Sequence, residues 1–185
     1  MLLEHCRILT QPLPNPPLPA QGRESIRTPS MTASVLQLYN RITRWPAGHW
    51  LFSRAVCFKA PYFATIAPRI QVLEADRCVA TLRHRRKVTN HLGTVHAIAL
   101  CNLAELAAGL MTDASLPPSM RWIPKGMTVE YLKKATGTMR AIATPAQPIV
   151  GAAAGYDLPV DVVITDPAGE TVFHARIAMW LSPRR

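Results

Sequence analysis

Apolar residues recur with two different periods along the chain, and the change of period separates helices from strands. Between positions 35 and 42 they are spaced three or four residues apart, which predicts an amphipathic helix. Thr32 or Ser34 can cap this helix, and Pro46 with Gly48 ends it. A second short helix is predicted over 50–58.

The second predicted helix has two interpretations. Trp50, Leu51 and Phe52 lie close to Arg54, a combination that is typical of helices at membrane surfaces. Most amphipathic stripes are instead buried against their own domain. We therefore expect this helix to pack onto the body of the protein, and membrane contact stays the alternative.

The region after position 68 contains strand patterns on both sides of one long helical stretch. Residues 69–74 and 77–85 are predicted to form a strand pair joined by a turn at Ala75 and Asp76. Residues 94–111 lack proline and are rich in Ala and Leu, which predicts a long helix ended by 113–118. Further strands are predicted over 127–132, 138–144, 159–165 and 171–181. The last two are joined by the turn DPAG, and alternate residues of the last strand form one apolar face: Phe173, Ala175, Ile177, Met179 and Leu181.

This order of elements predicts an α+β fold in which a curved antiparallel sheet wraps around one long central helix. A long apolar helix has to be covered, and a sheet that curls around it is the economical solution. We expect one domain over 31–185, with leading helices in 31–58 and the core in 59–185. The outer strands of a six-stranded sheet are unpaired, so two copies can extend and cover the edge.

Residues 1–30 have a different composition from the rest of the chain. They hold six of the 17 prolines, which predicts an extended, flexible tail that builds no core. A passive tail is the expected interpretation. The alternatives are a proline-rich ligand segment and a true start at Met31.

Composition narrows the class of protein. The chain has 185 residues, 49% of them hydrophobic, and a formal net charge of +10, so it can build a core and attract anionic partners. Its four scattered cysteines suggest neither a disulfide framework nor a zinc site, which favours a reducing cytoplasm. The apolar stretch 95–111 is too short and too polar to predict a membrane span, and Glu4, His5 and Arg7 argue against a signal peptide.

Polar residues collect where the second strand meets the long helix, and one acidic residue lies further along that helix. The first group comprises Asn90, His91, Gly93, Thr94 and His96, and the acidic residue is Glu105. A carboxylate with apolar flanks costs free energy unless it is paired or used. His96 and Glu105 are about 900° and about 13.5 Å apart along a helix, so one chain cannot bring both to one substrate. A site that uses both therefore lies between two subunits.

The segment NHLGTVHAI at 90–98, followed by LAE at 103–105, resembles hotdog-fold acyl-CoA thioesterases of the phenylacetyl-CoA thioesterase type. That family has an Asn, a His-Gly-Gly six residues later and an acidic residue on the central helix. The segment at 127–135 is similar to the family's strand after the helix. The resemblance covers roughly 55–185 and is closest to an uncharacterised branch of the superfamily.

The resemblance implies roles for these residues in a homodimer or tetramer. Amides at Ala97 and Ile98 would polarise the thioester carbonyl, and the partner's Glu105 would act as general base or nucleophile. Asn90 would orient the carbonyl or the water, and His96 would order the loop or bind the thioester region. The family's Gly-Gly is Ala97–Ile98 here, and the larger side chains narrow the approach to the backbone.

Basic residues flank the predicted site, at Arg83, Arg85, Arg86, Lys87, Lys133 and Lys134. They are either contacts for the phosphates of coenzyme A or solvated strand ends. No nucleic-acid-binding signature accompanies them. We expect no metal and no cofactor beyond the coenzyme A of the substrate, and we expect Cys101 to lie in the core.

The sequence therefore predicts hydrolysis of an acyl-CoA or acyl-carrier thioester. Two alternatives stay open. One is a non-catalytic acyl or lipid binder in which Ala97–Ile98 closes the reactive pose. The other is a 3-hydroxyacyl thioester dehydratase, since His91 precedes Glu105 by fourteen residues as in those enzymes, although their accompanying prolines are absent.

Overall fold

The structure is a computed structural model that describes residues 34–184. The predicted tail over 1–30 lies outside the described residues, as do Met31, Thr32 and Ala33 at the start of the predicted domain. The helices are α1 (Val35–Ile42), α2 (Gly48–Lys59) and α3 (Ala97–Ser115), with short 3₁₀ helices at Pro61–Thr65 and Arg86–Val88. The strands are β1 (Arg69–Glu74), β2 (Arg77–Leu82), β3 (Met120–Tyr131), β4 (Met139–Pro145), β5 (Tyr156–Thr165) and β6 (Thr171–Pro183).

The six strands form one antiparallel sheet in the order β1-β2-β4-β5-β6-β3. The sheet wraps around α3, whose Leu103, Ala107 and Met111 are fully buried against it. The predicted apolar face of β6 is confirmed: Phe173, Ala175, Ile177, Met179 and Leu181 are all buried. The α+β hotdog architecture predicted from the sequence is therefore the observed one.

The leading helices begin and pack as local sequence dictates. Ser34 caps α1 through a capping box, since its hydroxyl accepts from the Gln37 amide and the Gln37 side chain accepts from the Ser34 amide. Tyr39 on α1 is buried and packs edge-on against Phe52 of α2. Ser53 of α2 accepts a hydrogen bond from the Ile70 amide, which ties α2 to the start of β1.

The central helix begins and ends later than the predicted 94–111. Residues 89–95 close into a hairpin-like turn with a bridge between Thr89 and Val95, so the helix starts only at Ala97. At the other end Leu116 is extended because the following Pro117 disfavours a helical conformation there. Inside the helix Gly109 permits a close approach: a Cβ at this position would lie 3.0 Å from the Trp122 ring.

The third strand is twice as long as the predicted 127–132. It extends back to Met120 through Pro124, and its pairing with β6 shifts between Pro124 and Gly126. Proline is tolerated here because β3 is an edge strand and Pro124 stands at an irregularity of the ladder. The second strand is conversely shorter than predicted, since it ends at Leu82 before the 3₁₀ turn.

Helix α3 is long and apolar enough to cross a membrane by length and composition, contrary to the expectation that this stretch is too short. In the structure 67% of that apolar window is buried, which is the behaviour of a core helix. The sheet supplies the apolar surroundings that a bilayer would supply to a spanning helix.

Candidate functional site

The start of α3 presents one backbone amide without a partner. His96 is the N-cap residue, and its Nδ1 accepts a hydrogen bond from the Ile98 amide at 3.1 Å. The amides of Ala99 and Leu100 donate to the His96 carbonyl. Within residues 34–184 only Ala97 of the two predicted oxyanion donors keeps a free N–H, because the ring of His96 occupies the amide of Ile98.

Asn90 organises the loop that leads into this helix. Its Oδ1 accepts from the amides of Leu92 and Thr94, and its Nδ2 donates to the Thr94 hydroxyl at 2.9 Å. Gly93 supplies the left-handed backbone, with φ of 75°, that the turn requires. His91 is exposed on this turn and lines neither of the two pockets described below. The side chain of Asn90 is thus engaged within the loop.

His84 also holds this loop, and sequence reasoning missed it. Its Nδ1 accepts from the Gly137 amide at 3.0 Å, so Nε2 carries the proton and donates to the Gly93 carbonyl at 2.9 Å. His84 therefore links the loop before α3 to the segment before β4. Its position within a run of basic residues hid this role, since such a run is usually a solvated strand end.

A pocket of about 180 Å³, which we call the helix-start pocket, opens beside the start of α3. His96, Ile98 and Ala99 line it from the helix, and Lys87 lines it from the 3₁₀ turn after β2. The remaining walls are Tyr62, Thr65, Ile66, Val88, Thr89 and Asn102. The pocket thus combines a helix N-terminus with a cationic side chain, which suits a carbonyl or an anionic group.

Asn102 contributes a buried acceptor to this pocket. Its Nδ2 donates to the Thr65 hydroxyl at 3.3 Å, and that hydroxyl in turn donates to the Tyr62 carbonyl. Its Oδ1 is buried and has no hydrogen-bond partner among the described residues. An unsatisfied buried acceptor is costly, so this atom calls for a donor from water or a ligand. The available sequence signal was a lone amide in an apolar helix, one turn after Ile98.

Glu105 lines a different pocket of about 270 Å³, which we call the Glu105 pocket. Its other walls are Pro124, Lys125, Gly126, Met127 and Ile177. The half-buried carboxylate forms neither a hydrogen bond nor an ion pair in the described part of the chain. The nearby Lys125 is paired instead with Asp157 at 2.9 Å and lies over the Trp180 ring.

The bulged segment of β3 forms the wall opposite Glu105. The register shift between Pro124 and Gly126 leaves Lys125 as an extra residue, and such bulges are common beside active sites. His96 and Glu105 therefore lie in separate pockets of the same chain, as the helix geometry requires.

One face of α3 carries residues of both pockets. Ile98, Cys101 and Glu105 follow the spacing of one helical face, and Cys101 is half-buried rather than in the core as expected. The Cys101 thiol contacts the Tyr131 hydroxyl at 3.2 Å. This hydrogen bond, with a smaller effect of burial, raises the pKa of Tyr131 to about 12, so the phenol keeps its proton at neutral pH.

The six predicted phosphate contacts fall into two groups. Lys133 is paired with Glu170 at 2.8 Å, and Arg85 donates to the Thr65 carbonyl at 3.3 Å. The side chains of the other four make no such contact over 34–184: Arg83, Arg86, Lys87 and Lys134. Of the six, only Lys87 lines the helix-start pocket.

In the described part of the chain no three side chains of His, Cys, Asp or Glu are grouped closely enough to hold a metal ion. The expectation that the protein uses no resident metal or cofactor stays a prediction.

Comparison with known proteins places the chain in a family. The family described as Domain of unknown function (DUF4442) matches residues 48–181, and the chain belongs to it. No curated protein matches the sequence. A crystal structure of the genomics target APC5556 is similar to this chain. The two sequences are 48% identical, and the TM-score is 0.71 over 81% of this chain and 99% of that one.

Two more distant structures share the fold. Thioesterase HI1161 from Haemophilus influenzae is 16% identical, with a TM-score of 0.61 over 70% of this chain and 87% of its own. PA5026 from Pseudomonas aeruginosa, described as a probable thioesterase, is 22% identical, with a TM-score of 0.63 over 76% of this chain and 97% of its own. These two likenesses confirm the predicted hotdog fold.

Proposed function

We propose that the protein hydrolyses an acyl-CoA or acyl-carrier thioester at a site formed between two copies of the chain. The observation that carries this proposal is the half-buried carboxylate of Glu105, which has no partner within residues 34–184. A carboxylate kept unpaired on an apolar helix beside a strand bulge is placed for proton transfer rather than for stability. Thioesterases of the same fold support the reaction class.

The edge strand β3 is where we expect the second copy of the chain to bind. This strand pairs only with β6, so its outer hydrogen-bonding groups face away from the sheet. Large apolar side chains are exposed on and beside it, among them Ile123, Leu132 and, on α3, Ile98. Pairing of two β3 edges would extend the sheet and cover these side chains. The shared site requires that this pairing also bring the start of α3 close to the partner's Glu105.

In this arrangement the free amide of Ala97 would donate to the thioester oxygen as that oxygen gains negative charge. The partner's Glu105 would take a proton from water while the water oxygen bonds to the carbonyl carbon. The carbon–sulfur bond then breaks, and the thiolate leaves and takes up a proton. His96 would set the orientation of the helix start through its Nδ1, and Asn90 would hold the loop in place.

The substrate's phosphates would lie near the exposed cations at the rim. Lys87 lines the helix-start pocket, and Arg83 and Arg86 are close to it in sequence. Coenzyme A as part of the substrate fits this distribution better than a neutral ester does. We also expect a cytoplasmic protein, in keeping with the free thiols of Cys57, Cys78 and Cys101.

A second candidate is a non-catalytic acyl binder on the same fold. The observation that favours it is the amide of Ile98, which is occupied by His96. The Ile98 side chain also lines the pocket, at a position where the thioesterases that the sequence resembles have glycine. With one donor instead of two, stabilisation of the oxyanion would be weaker. The binder would retain affinity for acyl thioesters without turnover.

Free thiol release from short, medium, long and aromatic acyl-CoAs tests the proposal, with wild type measured beside Glu105→Gln. Turnover that is lost in the variant supports a thioesterase, and the best substrate identifies the acyl group. Binding without turnover in both proteins would establish the binder instead. Neither binding nor turnover with any thioester would contradict both candidates.

A further inference from the structure

Helix α2 is apolar on both of its sides, but only one side is covered by the protein. Phe52 and Cys57 on the inner side are buried against the core. Trp50, Leu51 and Phe58 on the outer side are exposed, Phe58 to 89%. The expectation that this helix buries its apolar residues against the body is thus only half right.

Exposed aromatic residues also flank the helix at both ends. Trp45 in the preceding loop is 72% exposed, and Tyr62 after the helix is 65% exposed. Together these five residues form what we call the aromatic patch: Trp45, Trp50, Leu51, Phe58 and Tyr62. Single exposed apolar residues are ordinary, but several on one helix and its flanking residues indicate an interaction surface.

The segment that contains the aromatic patch carries charges of only one sign. Residues 34–73 contain no Asp or Glu, and the first carboxylate in the described chain is Glu74. Four exposed cations lie in the same segment, and none is in an ion pair within residues 34–184: Arg41, Arg44, Arg54 and Lys59. The field at this surface therefore attracts an anionic partner.

This charge distribution separates the candidate partners. A second copy of the chain seated on the same patch would bring the same cations together, and their repulsion would oppose a symmetric contact. Bilayers with anionic lipids instead offer phosphates at the surface and an apolar layer beneath. Trp and Tyr prefer that boundary, while Arg and Lys bind its headgroups. Side chains as protruding as Phe58 and Trp45 suit insertion into a fluid layer.

We propose that the outer side of α2 and the loop before it bind an anionic lipid surface. The aromatic patch inserts at the level of the headgroups, and Arg41, Arg44, Arg54 and Lys59 contact lipid phosphates. Tyr62 belongs both to the aromatic patch and to the wall of the helix-start pocket, so the pocket opens beside the bound lipid. If the proposed thioesterase function holds, this places the pocket where long-chain acyl thioesters accumulate.

Co-sedimentation of the full chain with lipid vesicles tests the proposal without any measurement of turnover. We expect binding to phosphatidylcholine vesicles that contain about 30 mol% phosphatidylglycerol, and weak binding to phosphatidylcholine alone. Phe58→Ser should weaken binding about tenfold, since it removes one inserted apolar side chain. Arg54→Gln should weaken it about fivefold. Val150→Ser is the matched control, because Val150 is 49% exposed on a loop outside the patch and its loss should change nothing.

Three results would overturn the proposal. The first is no binding to the anionic vesicles. The second is unchanged binding by both Phe58→Ser and Val150→Ser, which would mean that the net charge alone drives adsorption. The third is dissociation of an oligomer by Phe58→Ser, seen by sedimentation, which would mean that a second copy covers the patch. The difference between wild-type and Trp50→Phe fluorescence gives a further check, since a blue shift on adding vesicles is expected from Trp50.

Thiol release from short-chain acyl-CoAs in the absence of vesicles keeps the two proposals apart. These substrates are free in water, so their turnover does not depend on lipid binding. Lipid binding without turnover would support the surface and contradict the thioesterase, and turnover without lipid binding would do the reverse.

Discussion

The loop around Asn90 and the helix face around Glu105 are the two polar regions of the candidate site, and they are built in opposite ways. The Nδ2 of Asn90 donates to the Thr94 hydroxyl, and its Oδ1 accepts from the Leu92 amide. Glu105 lies among apolar neighbours and has no partner in residues 34–184. A polar group whose hydrogen bonds are satisfied within the chain is explained by folding, whereas an unsatisfied one needs another explanation.

Because of this difference, mutations in the two regions should have different effects. Removal of an engaged group lowers stability and affects activity through the loss of order. Removal of an unengaged group leaves stability unchanged and acts on chemistry directly. Stability and turnover measured together therefore distinguish the two kinds of residue.

The largest effect is expected for Glu105→Gln. Turnover should fall at least about 100-fold, because the amide cannot accept the proton of water. The melting temperature should stay within experimental error, since the carboxylate has no partner to lose. Thiol release and thermal denaturation of the same preparation measure both quantities.

Glu74→Gln is the control for this variant. Glu74 is an exposed carboxylate of β1 that lies 3.8 Å from Arg77, outside both pockets and outside β3. It should retain wild-type turnover. Equal losses in the two variants would mean that removal of any one carboxylate, rather than of Glu105 itself, lowers activity.

Asn90→Ala should act mainly on stability. The variant loses several hydrogen bonds of one loop, and a cost of about 2 kcal/mol is expected from the amides left unpaired. Chemical denaturation measures this cost, and Thr89→Ala serves as a neighbouring comparison that removes only one local hydrogen bond. An Asn90→Ala protein with unchanged stability and abolished turnover would place Asn90 in the chemistry and contradict its structural role.

A smaller effect should separate two of the basic residues. Lys87→Ala should raise the KM for acyl-CoA about fivefold, because this ammonium lines the helix-start pocket and has no carboxylate partner in the described chain. Lys133→Ala should change KM little, because Lys133 is already paired with Glu170. Steady-state kinetics at two salt concentrations measures both. A larger effect of Lys133→Ala would indicate that the phosphates contact the segment after β3 rather than the 3₁₀ turn after β2.

The smallest effect concerns acid stability of the sheet, away from both pockets. Arg176 donates two hydrogen bonds to Asp161, which lowers the pKa of this carboxyl below its usual value. The ionised form is therefore favoured in the folded state. Its stabilising contribution is present above the unfolded pKa and is lost as the pH falls below about 4. Asp161→Asn should flatten the fall of the melting temperature in that range, and an unchanged profile would contradict the role of this pair.

The fold could be predicted further than the site could. The two periods of apolar residues determined the element order, and the last-strand face around Ile177 was correct because alternation reports burial directly. The length of β3 was missed, since Pro124 and Gly126 are breakers everywhere except at an edge or a bulge. The start of α3 was placed too early because the turn at Asn90 depends on side-chain hydrogen bonds that have no periodic signature.

At the site, the sequence identified the region correctly but not the hydrogen bonds that each residue makes. The resemblance selected His96 and Ile98, and nothing in the sequence shows that one occupies the amide of the other. Asn102 was missed because a single amide in an apolar helix is ordinarily satisfied. Only the structure shows that Asn102 Oδ1 lacks a donor, because the neighbouring Thr65 hydroxyl donates to the Tyr62 carbonyl instead.

Subunit mixing tests the shared site most directly. Ala97→Pro removes the free amide at the first helical position, where proline is well tolerated and the preceding His96 is already extended. Alone, Ala97→Pro and Glu105→Gln should each be inactive. A hybrid dimer of the two contains one intact site, so unfolding and refolding an equal mixture should restore about a quarter of wild-type turnover. A mixture that stays inactive while sedimentation shows hybrid dimers would contradict a site shared between two chains.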